Sequence, residues 1–456
     1  MKLVYGAKDK PSFGKTLVFA LQQLLAILAA TIAVPAIIGN GMSQSAALFG
    51  AGVGTIVYLL FTKFRSPVFL GSSFAFLGSM AAAFAGGVSA SAGYLGMIIG
   101  AVMAGLVYVV IALIVKFAGV KWISKLMPAV VIGPTVAIIG LSLSGNAIGD
   151  AVGVAKDGSA FVMNAHAGVC LICALVTLAV TMLCSVFGKK MMKMIPFIIG
   201  IVSGYIVASI FTIIGNNTGI DALKIIDYSA FSNLRWVPSF TFETAFSGGY
   251  DFGDAGSIAS YIGTIAAAYV PVAFVVFAEH IADHKNISTI IEHDLLEDPG
   301  LHRTLLGDGV GSMVGAFFGG CPNTTYGESI GCVAISGNAS VVTIFATAIL
   351  AIVASFFAPF VAFLASIPSC VMGGVCISLY GFIAVSGLKM IQDVDLGENR
   401  NLFIVSVILI AGVGGLVLKF GSVTITEVAC ALILGILTNL ILPEKKKADK
   451  DASETK

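Results

Sequence analysis

Charge is scarce in this chain. Only 11% of its 456 residues are Asp, Glu, Lys or Arg, against about 25% in an average soluble domain. With 58% hydrophobic residues, there is too little polar surface to cover a globule in water. A soluble protein is excluded, and an integral membrane protein is left. The net charge is +1, and no basic patch stands out from the loops, which excludes nucleic acid as a partner. Catalytic signatures are missing as well: no GxSxG, HExxH or P-loop occurs anywhere, which argues against an enzyme. Paired metal-ligand motifs are absent, so no metal or other cofactor is expected; the acid- and His293-bearing stretch Ile291–Pro299 reads as a solvated loop. All eight cysteines lie in or beside apolar runs. Cys170-x-x-Cys173 has redox spacing, but its uninterrupted apolar setting makes these residues buried small hydrophobes. The first fifteen residues are polar and lysine-bearing, so no cleavable leader is expected.

What the chain does have is apolar length and glycine. Its 53 glycines exceed the usual ~7%, which suits close helix packing and broken helices. Taking ~20 apolar residues per crossing, fourteen segments fall near 16–38, 46–62, 68–86, 93–116, 127–146, 167–187, 194–216, 257–282, 308–320, 322–338, 339–366, 368–388, 401–419 and 424–442. The ninth and tenth are too short to cross as ordinary helices. With a cytoplasmic N terminus, all but Lys156, Lys224, Arg235 and Lys419 of the 25 lysines and arginines fall on the inner side. That asymmetry places both termini in the cytoplasm.

The expected fold is therefore an all-α polytopic membrane protein of about fourteen transmembrane segments. Residues 1–216 form one seven-span repeat and 257–443 a second. The acidic and aromatic segment 217–256 is an external linker, and the charged tail 444–456 is expected to be disordered. An odd number of spans per repeat makes the two copies inverted.

One stretch breaks the pattern. Between apolar spans, Pro322-Asn323-Thr324-Thr325-Tyr326-Gly327-Glu328 is polar, glycine-flanked and ends in a carboxylate. Its backbone groups find no water in lipid, so it has to line a cavity inside protein. Leu70-Gly71-Ser72-Ser73-Phe74-Ala75-Phe76-Leu77-Gly78-Ser79 occupies the matching place in the third span. Both read as a short extended strand feeding a half-helix, and two half-helices would aim their N-terminal N–H groups at one shared site.

Few ionisable groups lie within the spans. Glu279 and Asp283 are spaced i, i+4, on one helical face; Glu328 ends the tenth-span break; Glu427 opens the last span and reads as an interfacial cap. A bare carboxylate at the bilayer centre costs at least ~2.5–3.5 kcal/mol, which favours its protonated form. Groups that take up and lose protons as water reaches them suit proton coupling. His280 points ~100° away from Glu279 around the helix, so packing and proton roles are equally open to it.

These residues resemble a known family. Gly71-Ser72-Ser73-Phe74-Ala75-Phe76, Ala278-Glu279-His280 and Pro322 through Glu328 look like signatures of the nucleobase–cation symporters of the nucleobase–ascorbate transporter family, closest to its uracil permease branch. The likeness runs from about residue 12 to 442 and takes in Asp298 through Arg303 and Pro368 through Gly374. It implies a core of spans 1–4 and 8–11 moving against a gate of spans 5–7 and 12–14. It also implies that Glu279 and Glu328 contact the base, helped by the backbone at Phe74 and Gly327. Uracil fits this chemistry: carboxylates accept from its N–H groups, backbone N–H groups donate to its carbonyls, and Phe74 and Tyr326 pack on its ring.

Three positions depart from the family pattern. Its Gln-His pair in the first span reads Gln22-Gln23. The histidine that uracil permeases often place four residues after the eighth-span glutamate is Asp283, as in the purine branch. The signature Glu-Asn-x-Gly-x4-Thr becomes Glu328-Ser329-Ile330-Gly331 followed by Ser336. The expectation is a proton-coupled uracil importer of the cytoplasmic membrane working by alternating access. Glu328, Glu279 and Asp283 would carry the proton, with Ser73, Gln23, His280 and Ser329 in support. Sodium stays open as the coupling ion, and a homodimer as the assembly. A xanthine or urate symporter on the same scaffold is the alternative; an anion exchanger or a channel is the third reading.

Overall fold

The computed structural model describes residues 3–119, 127–153, 156–157, 160–189, 191–232, 234–420 and 423–442. The expected disordered tail, with its lysines, lies outside the described residues, as do Lys2, Lys121, Lys125 and Lys190. In chain order the principal elements begin with α1 (Phe13–Ile38), α2 (Gln44–Phe61), strand β1 (Leu70–Ser72), α3 (Leu77–Ala83), α4 (Ala90–Ala118), α5 (Ala129–Ser142) and α6 (Ser144–Val152). They continue through α7 (Ala165–Phe187), α8 (Pro196–Thr218), α9 (Ile258–Ile291), α10 (Leu301–Gly319), β2 (Asn323–Thr325), α11 (Gly327–Ser336), α12 (Val341–Ser355) and α13 (Ala358–Ala365). The chain closes with α14 (Ser369–Met390), α15 (Asn399–Val413), a hairpin β3 (Leu418–Phe420) and β4 (Val423–Ile425), and α16 (Glu427–Ile441).

Each expected segment coincides with one or two of these elements. Among the described residues, eight helices are long and apolar enough to cross a membrane, or up to nine counting the pair α12–α13, which is bent by 81°. Several boundaries differ from expectation: the fifth segment runs on through α6 to Val152, and α15 ends at Val413 rather than near 419, ahead of the β3–β4 hairpin. α9 runs nine residues past the expected 282, carrying Asp283 and His284 inside the helix. α10 starts at Leu301 rather than near 308, because Arg303, Asp308 and five glycines dilute its hydropathy; at 19 residues it is longer than a half-span. The eleventh segment breaks at Phe356–Phe357. Beyond the end of α8, the described residues of the segment 217–256 form short turns and one five-residue helix, Thr241–Ala245.

Helix starts follow the sequence. Ser43, Ser89, Asn164 and Ser257 each accept an amide hydrogen bond in the first turn of α2, α4, α7 and α9, supplying acceptors that helix N-termini otherwise lack. Helix contacts then follow glycine. A Cβ on Gly50 would lie 2.5 Å from Gly315 O, and one on Gly311 2.8 Å from Gly54 O, so α2 and α10 touch backbone to backbone. A Cβ on Gly374 would meet Ala174 O at 2.4 Å, which brings α14 against α7. Without a hydrophobic drive between helices in lipid, such close approach supplies the attraction.

Packing gathers the helices into two sets. α1, α2, α4, α9, α10 and α12 pack on one another, and α5, α7, α8, α14, α15 and α16 form the second set. Loops on the first set are tied by the ion pair between Arg65 and Asp298. The hydrogen-bonded guanidinium of Arg65 holds the exposed Asp298 carboxyl below the usual carboxylate range.

Candidate functional site

Strands β1 and β2 meet in an antiparallel ladder that pairs Leu70 with Thr325, Gly71 with Thr324 and Ser72 with Asn323. The ladder answers the backbone problem the sequence posed. Ser73 N donates to Pro322 O (2.9 Å) and Tyr326 N to Phe69 O (3.2 Å). Leu70 N donates to Thr55 Oγ1 (2.9 Å), and Ser312 Oγ donates to Asn323 O (2.7 Å). Main-chain groups of the two breaks are thus paired with each other and with hydroxyls from α2 and α10.

Glycine is required at Gly71. A Cβ there would lie 2.3 Å from the ring of Tyr326, whose hydroxyl donates to Ser72 O at 2.8 Å. Gly71→Ala is expected to push that ring off the ladder and cost about 1–3 kcal/mol through overpacking. Thermal unfolding in detergent measures it, and an unchanged midpoint would show that Tyr326 has room to move.

Each strand feeds a helical turn. Phe74–Phe76 forms a 3-10 turn leading into α3, and Tyr326 is the N-cap of α11; neither start has a side-chain cap. Both open on a cavity of about 380 Å³ that lies between the two helix sets. Phe74, Ala75, Thr324, Thr325, Tyr326, Gly327, Glu328, Glu279 and Asp283 line one wall. Val136, Ile139, Phe197, Leu379, Phe382 and Ile383 line the other. The structure therefore brings together Glu279, Asp283, Glu328, Phe74, Tyr326 and Gly327. A Cβ built on Gly327 would meet nothing within 4 Å, so the cavity is open at the start of α11. Asp283 is anchored by Thr325, whose hydroxyl donates to Oδ2 at 2.6 Å.

The cavity is one-sided. It continues past Cys332 and Ile335 to Lys193, Pro196 and Met390, at the lysine-bearing ends of their helices. In the other direction Phe74, Ala75 and Ile139 close it. Beyond them, between Ser79, Ser142, Thr426 and Glu427, only about 10 Å³ remains, roughly the space of one water. Phe74 reaches across to Tyr380 of α14, ring centroids 5.9 Å apart and edge to face. Glu427 lines this small cleft, not the main cavity.

The remaining expected residues lie behind the site. Gln23 Nε2 donates to Ser329 Oγ (2.5 Å) and Ser329 O (3.1 Å), so two of the departures from the family pattern compensate: a long amide on α1 reaches a short hydroxyl on α11. Ser73 is buried off the cavity wall. His280 faces away from it, into a second polar cluster. There Nδ1 lies 2.7 Å from Asp308 Oδ2 and Nε2 3.0 Å from Thr304 Oγ1. His284 stacks on His280 at 4.0 Å between ring centroids. Its Nδ1 donates to His280 O (2.8 Å), and the other nitrogen lies 2.7 Å from the Tyr58 hydroxyl.

Asp308 escaped the sequence reading because it sits at the edge of the ninth apolar run between Gly307 and Gly309. The i, i+4 spacing of Thr304 and Asp308 was the available signal. Among the described residues no cluster has the geometry of a metal site, and all eight cysteines are buried and free.

Comparison with known proteins agrees with this architecture. The chain is 41% identical to a uracil permease of Bacillus caldolyticus over 459 residues, covering 99% of this chain and 98% of the relative. It is 38% identical to a uracil permease of Bacillus subtilis (strain 168), with the same coverage of both. A uracil permease of Escherichia coli (strain K12) is 34% identical over 96% of this chain and 93% of its own. Among solved structures, the transmembrane domain of the cyanobacterial bicarbonate transporter BicA shares the fold at TM-score 0.60 and 16% identity, over 96% of this chain and 99% of that one. SLC26A9 does so at 0.63 and 12%, over 94% and 64%. A family model, the Permease family, matches residues 14–419, and with relatives this similar along the whole chain, the protein belongs to that family of membrane permeases.

Proposed function

We propose that the chain is a proton-coupled uracil importer of the cytoplasmic membrane. The cavity carries this reading: two half-helix N-termini and three carboxylates converge on one space at the lower end of the ~300–1,000 Å³ range of small-molecule sites. The uracil permease relatives support the choice of base. Uracil is a flat ring with two N–H donors and two carbonyl acceptors. Glu279 accepts from one N–H, and the first-turn N–H groups at Gly327 and Glu328 donate to a carbonyl. Phe74 and Tyr326 bound the ring faces. A site so paired rejects analogues that leave its polar groups unmatched.

Coupling follows from charge density. Glu279, Asp283 and Glu328 share one cavity, and full ionisation of all three is disfavoured by mutual repulsion. The set holds protons jointly rather than at one assigned residue. Glu328 stands in the first turn of α11 on the cavity wall, and it is the group we place on the coupling path. The first helix set is the core that carries the site, the second set is the gate, and sliding of one on the other exposes the cavity to each face in turn. Fourteen crossings as two inverted repeats of seven fit this motion. An anion exchanger shares the fold but not the site, since three acids face the ligand space here.

The test is uptake of radiolabelled uracil into proteoliposomes with and without an imposed pH gradient. Uracil should accumulate with the gradient and collapse with a protonophore, and xanthine at large excess should not compete. Efficient xanthine competition would move the chain to the purine alternative, with Asp283 as its marker. Glu328→Gln should uncouple accumulation from the gradient; unchanged gradient dependence removes Glu328 from the coupling path.

A further inference from the structure

The N-terminal segment ahead of α1 is not loose. Val4 N (2.8 Å) and Tyr5 N (3.1 Å) both donate to Gly337 O, the residue that caps α11. In return Tyr5 O accepts from Ala339 N (2.9 Å) and Ala7 O from Val341 N (3.1 Å). Ser340 Oγ donates to Asp9 O at 2.7 Å. Tyr5 thereby forms a parallel bridge with Asn338. The segment is itself fastened to α1: Lys15 Nζ donates to the Tyr5 hydroxyl at 3.1 Å, and the Tyr5 ring stands edge-on to Phe19, centroids 6.1 Å apart.

α11 has ten residues, and helices shorter than ~12–15 residues are marginal on their own. Its ends have orphan groups to satisfy. At its first turn Ser329 is held by Gln23 of α1; at its last, the carbonyl of Gly337 is held by residues 4–5, which α1 also anchors. We propose that residues 4–9 are a positioning strap: with Gln23 they form a two-point grip from α1 on the half-helix that carries Glu328. The ties to residues 337–341 run almost wholly through main-chain groups. The strap's presence should therefore matter, and most of its side chains should not. This rests on reading Glu328 as part of the substrate site, but the strap has a consequence that needs no substrate.

The full-length protein is compared with a variant lacking residues 2–9, by hydrogen–deuterium exchange in detergent and by uracil calorimetry. Amides 330–336 should exchange at least tenfold faster in the deletion while amides 305–316 of α10 stay unchanged, and uracil affinity should fall about tenfold. A milder variant, Tyr5→Ala with Ser340→Ala, should shift both readouts in the same direction by a smaller factor. Val4→Ala with Lys8→Ala, which keeps every main-chain bond, should behave as wild type. Unchanged exchange across α11 in the deletion overturns the strap. If the deletion unfolds the whole protein, unchanged exchange in the milder variant does so. Faster exchange of α11 with no uracil binding even by the wild type keeps the strap and refutes the substrate instead.

Discussion

Glu279→Gln will weaken uracil binding roughly 5- to 150-fold. The replacement keeps the shape of the side chain but exchanges an acceptor oxygen for an NH2 donor, which then faces a ring N–H. Two donors cannot pair, and an unmade hydrogen bond in a closed site costs about 1–3 kcal/mol, which is that fold-change in affinity. Burial in a low-dielectric wall keeps the penalty from being shared with water. Asp283 lies one turn on along α9, where its Oδ2 accepts from Thr325 at 2.6 Å. Calorimetry on purified protein reads the effect directly, and Glu279→Asp separates loss of charge from loss of reach. Retention of wild-type affinity by Glu279→Gln would remove Glu279 from contact with the base.

Asp308→Leu is expected to lower stability by about 3 kcal/mol, at the boundary between the cost of an unsatisfied buried polar group and that of a broken buried ion pair. The carboxylate is 1% exposed and its Oδ2 shares a 2.7 Å hydrogen bond with His280 Nδ1. Its removal leaves a buried ring nitrogen without its partner. Thr304 cannot compensate, because it bonds the opposite nitrogen, Nε2. The companion variant His280→Phe/Asp308→Leu removes both partners and should recover much of the loss, since paired apolar replacement of a buried polar couple is often close to neutral. Thermal unfolding of the two single variants and the double variant closes the cycle. Additive losses would show that the pair does not act as a unit.

How much of this was legible in the sequence depended on whether a signal was local. The breaks at 70–79 and 322–328 announced themselves, because polar and glycine residues inside apolar runs have few places to go. From them followed the half-helices and the cavity wall with Glu328, Phe74 and Gly327. Glu279 and Asp283 were legible as a pair from helical spacing alone. That the two breaks pair as strands could not be read, since residues 70–72 and 323–325 are far apart in sequence and three-residue ladders have no periodicity. Asp308 was hidden by its glycines, and its partner His280 lies on another helix. The compensation of Gln23 by Ser329 needed the fold as well: each departure looked like a loss by itself. The strap was invisible for a related reason, because it is made of main-chain bonds that no side-chain pattern records.

The ladder between β1 and β2 also bears on how such a permease changes its diet. Three residue pairs lock the distance between the two uncapped helix starts, so that wall works as a fixed gauge that reads the edge of whichever ring arrives. It cannot widen for a bicyclic base without losing Tyr326 from Gly71 and orphaning buried main-chain groups. The opposite wall carries no such constraint. Val136, Ile139, Leu379 and Ile383 are ordinary helix side chains, and their truncation trades packing for volume one methyl group at a time. Evolution or engineering of a new substrate size is therefore channelled to the facing helices α5 and α14, while the gauge stays as it is.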